Sequence, residues 1–113
     1  MNNYLRTARR RAGLSQDEVA LLLGKGSGDT VSRHENYTRT PSVPTVFAYE
    51  VIFRANSREL FAGAYEQVRR SIIARSKTLI TALSCQSGNT RALRKLRYLE
   101  SIVEGEQHNQ KLP

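Results

Sequence analysis

Between Asp29 and Asn36 the run Asp-Thr-Val-Ser-Arg-His-Glu-Asn mixes Asp29, Thr30 and Ser32 with Val31, Arg33 and His34. Folded as a helix, this stretch presents a polar outer face that can reach a ligand. Bond-making chemistry finds little support. His34 and His108 lie far apart, Cys85 has no base near it in sequence, and no metal-ligand spacing occurs. Lys25-Gly26-Ser27-Gly28 is glycine-rich but lacks the rest of a phosphate-cradling loop. The residues point to a binding protein with no catalytic centre, no metal and no cofactor.

The elements that would position this face can be read from their caps. Ser15 and Glu18 form a capping box, in which the serine oxygen and the glutamate carboxylate each satisfy a free backbone N–H. The apolar run Val19 to Leu23 follows, and Gly24 can take the left-handed conformation that closes a helix. Leu14 to Asn36 thus reads as two short helices around a glycine-rich turn. Ahead of them, Leu5, Ala8 and Ala12 share a helical face while Arg6, Arg10 and Arg11 point elsewhere. Gly13 ends that first helix.

Tyr37 to Pro41 is a polar loop, since proline disfavours helix in the residue before it. Ser42 caps a fourth helix with Pro44 in its first turn, and Val43, Val46, Phe47, Val51 and Phe53 are expected to supply its apolar surface. Asn56 and Glu59 start a fifth at about Ser57, returning Leu60 and Phe61 to the core. From Ala64 to Leu83, Tyr65, Val68, Ile72, Leu79 and Leu83 recur at helical steps, with Arg69, Arg70, Arg75 and Lys77 on the other faces. Gln86 to Asn89 breaks the pattern, and a last helix runs from Thr90 to about Glu104 with Leu93, Leu96, Leu99 and Val103 on one side. No stretch alternates as a strand would. The chain is expected to be all-α, divided into residues 1–62, a helical appendage at 63–105 and a flexible tail at 106–113.

Charge narrows the class of partner. Eighteen Lys and Arg against ten Asp and Glu give a net charge of +8, which favours a polyanion such as nucleic acid. The excess is spread over both halves, nine basic and six acidic residues up to Ala62 and nine and four beyond it. No apolar run approaches a membrane span, and Met1 to Ala12 carries arginines where a signal peptide needs an apolar segment. A single cysteine agrees with a reducing compartment, so a cytoplasmic location without membrane contact is expected.

Leu5-Arg6 with Arg9, Gly13-Leu14-Ser15-Gln16, Val19-Ala20, Leu22-Leu23-Gly24, Thr30-Val31-Ser32-Arg33, Glu35 and Pro41-Ser42 together resemble the phage-repressor-like helix-turn-helix family, of the XRE, Cro and lambda-repressor type. The resemblance covers roughly Tyr4 to Phe61. It implies a five-helix lambda-repressor-like DNA-binding domain, followed by the long helix and the C-terminal helix. It implies that Gly28 to Asn36 is the recognition helix, laid in the major groove of double-stranded DNA. Gly28, Asp29, Ser32 and Arg33 match the family's base-facing positions. Arg33 is the foremost of these, because a guanidinium can bond bidentately to guanine O6 and N7. Asp29 either accepts from a cytosine amino group, excludes wrong bases, or caps the helix. Gln16 matches a phosphate-binding position, and Asn36, Thr38, Arg39 and Thr40 are placed to contact phosphate from the end of the helix and the loop after it. Arg9 and Glu35 match a structural salt bridge between the first helix and the recognition helix.

This chain departs from the family pattern in three places. Its turn Lys25 to Asp29 is one residue longer than usual. His34 stands where an apolar residue is common, and is read as a packed, hydrogen-bonded histidine. Leu21 is apolar where the pattern is usually polar. The resemblance further implies a transcriptional regulator that blocks or recruits polymerase, acting as a homodimer on a two-fold operator with the long helix pairing with its copy, the other reading of the appendage being a helical hairpin folded back on the DNA-binding domain. Two other readings stand beside it: a DNA-binding antitoxin whose C-terminal helices neutralise a protein partner, and an interaction module that has lost DNA binding.

Overall fold

A computed structural model describes residues 3–85 and 90–109, and all regular secondary structure among them is helical. The order is α1 (Leu5–Ala12), α2 (Gln16–Leu23), α3 (Asp29–Glu35), α4 (Val43–Phe53), α5 (Ser57–Leu60), α6 (Ala62–Ser84) and α7 (Thr90–Asn109). The chain divides into two compact units, Met1–Glu66 and Gln67–Pro113, with α6 running across the boundary. No helix among the described residues is long and apolar enough to cross a membrane.

Local chemistry explains the element ends. Ser15 Oγ accepts the Glu18 N–H and Glu18 Oε1 accepts the Ser15 N–H, the reciprocal box expected from the sequence. Gly24 closes α2 at φ +77°, where the Lys25 N–H reaches back to the Ala20 carbonyl at 2.8 Å. Ser42 caps α4 and Asn56 caps α5, each accepting the N–H three residues on.

The first unit closes around Leu5, Val19, Ala20, Val31, Tyr49, Leu60 and Phe61, all buried. Ala20 and Val31 are both buried where α2 and α3 meet. Three expectations need correction. Ala12 is exposed rather than part of the inner face of α1. On α4 the inward stripe is Val46, Tyr49 and Phe53 with Ile52, whereas Val43, Phe47 and Val51 face solvent. Tyr49, absent from the expected set, is fully buried, stacks on Phe53 and tilts against Phe61.

In the second unit α6 and α7 line a common groove. Ser76 and Ala92 are buried there, while Val68, Ile72, Leu79, Leu93 and Tyr98 stay largely exposed. Helix α7 continues to Asn109, beyond the expected end at Glu104 and into the segment expected to be a flexible tail. The turn expected at Gln86 to Asn89, and residues 110–113, lie outside the described residues.

Candidate nucleic-acid interface

Three devices hold α3 to the body of the first unit. The first is charge. Arg9 Nε donates to Glu35 Oε2 at 2.7 Å and Arg9 Nη2 to Glu35 Oε1 at 3.3 Å, while Arg9 Nη1 donates to the Leu14 carbonyl. The Glu35 side chain is wholly buried. Burial alone would push this carboxyl up, but the hydrogen bonds from Arg9, Gln16 and Arg6, with the Arg9 charge, hold it below the usual carboxylate range. The expected structural pair is therefore present, with a further cation and an amide joined to it.

The second device is a buried histidine. His34 Nδ1 and the Tyr49 hydroxyl lie 2.7 Å apart with their rings edge to face, and Asn3 Nδ2 donates to the His34 carbonyl. Burial, reinforced by the charges of Arg39 and Lys25, pushes the His34 pKa down from its ordinary 6.5. The ring is packed and hydrogen-bonded, as expected.

The third device lies at the start of α3, in the long turn. The Gly28 N–H donates to Asp17 Oδ1 at 2.8 Å, and the Asp29 N–H is within 3.4 Å of Ser27 Oγ. Gly28 is buried here, and a Cβ on it would stand 2.7 Å from Asp17 Oδ1 and 2.9 Å from Gln16 Cβ. Gly28, expected to face bases, is buried with its N–H committed to Asp17, and presents no side chain outward. Asp29 is the first residue of α3 and its first-turn carboxylate, the N-cap position being Gly28.

The outward side of α3 carries what remains. Asp29, Arg33 and Asn36 are exposed and Ser32 is half-buried. Among the described residues no ion pair involves Arg33, although Asp29 is one helical turn away. Asn36 Nδ2 donates weakly to Ser32 Oγ at 3.4 Å, and its Oδ1 accepts from Arg6 Nη2 at 2.8 Å. After α3 the chain turns at Tyr37, φ +59°, and the Thr38 and Arg39 N–H groups both donate to the Arg33 carbonyl. Thr38, Arg39 and Thr40 are exposed beside the helix end that carries Arg33. Gln16 is placed differently from the rest of the expected phosphate set, since its Nε2 donates to Glu35 Oε1 at 3.1 Å.

Asp29, Ser32, Arg33 and Asn36 thus lie on the outward side of α3, with Thr38, Arg39 and Thr40 exposed in the loop after it. Sequence reading passed over Asp17, Tyr49, Asn3 and the role of Arg6 beside Glu35 and Asn36. Asp17 had a signal available, a carboxylate in the first turn of α2 with a glycine in the turn that follows. Set beside known proteins, the chain is matched by no family model, no curated protein and no solved structure.

Proposed function

We propose that this chain is a sequence-specific double-stranded DNA-binding transcriptional regulator that lays α3 in the major groove. The observation that carries the reading is the way α3 is held. Its inner side is fixed by Glu35, His34 and the Asp17 latch on Gly28, which leaves Arg33 outward on a rigid element without an ionic partner among the described residues. Arg33 is the residue for reading a guanine edge, with Ser32 and Asp29 bordering it. Arg39, Thr38, Thr40 and Asn36 contact flanking phosphates, which fix register but carry no base identity. The basic excess of the chain supplies the non-specific attraction.

Binding as a dimer to a two-fold site belongs to the same proposal. Selection of bound sites from random DNA tests it, because the selected sequences report both base preference and half-site spacing. A recurrent inverted repeat is the expected outcome. If no sequence is enriched, or if binding to mixed DNA is undetectable at low salt, the proposal fails.

A further inference from the structure

The second unit carries a surface that DNA reading leaves unused. A groove of about 490 Å³ lies between α6 and α7, floored by Leu79, Leu83 and Leu99 and rimmed by Tyr98, Arg94 and Lys95. Leu79 is 48% and Tyr98 69% exposed, so large apolar side chains meet solvent here. The apolar floor continues along α6. Val68, Ile72, Leu79 and Leu83 follow one another at steps of four, seven and four, which places them on one helical face with Arg75 between them, and Val68, Ile72 and Arg75 border a second depression. From Val68 to Leu83 the strip is about 22 Å long at 1.5 Å per residue, room for roughly four turns of a further helix.

The charges bordering the strip have one sign. Arg75, Arg94 and Lys95 stand along it, and among the described residues none of them has an ion-pair partner. The carboxylates Glu100 and Glu104 belong to another side of α7, Glu100 lying about half a turn round the helix from Tyr98 at 100° per residue. A second copy set groove to groove, one form of the pairing expected for the long helix, would bring these cations against their own counterparts, which like-charge repulsion disfavours, so a dimer on two-fold DNA would pair through another surface. A nucleic acid would meet an aliphatic floor, with Tyr98 as the one ring on which a base could stack.

We propose that the α6–α7 face is a docking groove for an acidic amphipathic helix of a partner protein, its apolar side chains seated on Leu79, Leu83 and Leu99 and its carboxylates facing Arg75, Arg94 and Lys95. This is helix-in-groove recognition with electrostatic selection of the incoming helix.

The test uses the full chain and a displayed library of amphipathic helices whose leucines are fixed and whose flanking positions are either Glu or Lys. Glu should dominate the selected flanks. A peptide made from the selected sequence should bind at least tenfold more tightly than its Glu-to-Lys counterpart, and the preference should reverse on the R94E/K95E variant. Leu79→Ser should abolish binding of both peptides, with helical content checked by circular dichroism. Should that variant lose its fold, the charge reversal alone decides. Selection without charge preference, or no selected binder, overturns the proposal. So does a doubling of mass in sedimentation that Leu79→Ser removes, which would assign the groove to a second copy. Displacement of the peptide by a mixed-sequence duplex, with binding of that duplex insensitive to Leu79→Ser, would assign the rim to nucleic acid.

Discussion

The Asp17 carboxylate accepts the Gly28 backbone N–H at 2.8 Å, tying the start of α3 to the helix before it. The orientation of α3 therefore depends on a contact inside the turn, where a Cβ on Gly28 would clash with both Asp17 and Gln16. Gly28→Ala forces the latch open, because the Gln16 Cβ cannot yield without moving α2. Overpacking of this kind costs about 1–3 kcal/mol. Thermal unfolding should show the loss, and DNA affinity should fall further than stability explains, since α3 is turned as well as loosened. Asp17→Asn in the otherwise unchanged chain, which keeps an acceptor oxygen for the Gly28 N–H, should retain most of both.

Glu35 gives the acid limb of the stability profile. Its carboxyl titrates below its unfolded value of 4.5, so its contribution is fully present above pH 4.5 and is lost as pH falls through the folded value. Glu35→Gln should flatten that limb. At neutral pH the same variant leaves the Arg9 side chain, 12% exposed, without its counter-charge, and breaking a buried pair in this way costs about 3–5 kcal/mol. Denaturant unfolding at pH 7 and at pH 4 separates the two effects.

His34 acts in a higher window. Its folded pKa lies below 6.5, so the folded state favours the neutral ring: stability is full above pH 6.5 and declines as pH falls from 6.5 towards the folded value. Below that value no further change arises from this group. Stability measured from pH 7.5 to 5 should decline in the wild type and less in His34→Gln. Tyr49→Phe removes the hydroxyl partner and strands a buried ring nitrogen, at about 1–3 kcal/mol.

The sequence made the helices legible because their ends are written in local chemistry: Ser15 with Glu18, Gly24, Ser42 and Asn56 act within a few residues of themselves. Facing was less legible where apolar residues surround a helix. On α4 both Val43-Phe47-Val51 and Val46-Tyr49-Phe53 keep helical spacing, and periodicity cannot choose between them. Tertiary contact chose the second, because the Tyr49 hydroxyl finds His34 and its ring finds Phe53 and Phe61. The Asp17–Gly28 latch joins separate elements, so its carboxylate and its glycine stood in the sequence while their pairing did not. Phe47→Lys should accordingly change stability by less than about 0.5 kcal/mol, as for an ordinary surface site. Val46→Ala, on the packed stripe, should cost more than that in the same unfolding assay.

Arg33 and Arg39 stand at opposite ends of a hydrogen bond, the Arg39 N–H donating to the Arg33 carbonyl at 3.3 Å, yet the proposal gives them different work. Arg33→Ala removes a base contact and should cost about 1–3 kcal/mol on the selected site while relaxing preference at one position. Arg39→Ala removes a phosphate contact, so it should weaken binding uniformly across sequences and lower the slope of log affinity against log salt by about one. Gln16→Ala provides the internal comparison. Because Gln16 donates to Glu35, its loss should appear in thermal stability as well as in DNA affinity. Affinity measured on the selected site and on a scrambled duplex, each over a salt series, distinguishes all three, and an Arg33 variant that lost affinity equally on both duplexes would move Arg33 into the phosphate-contacting set.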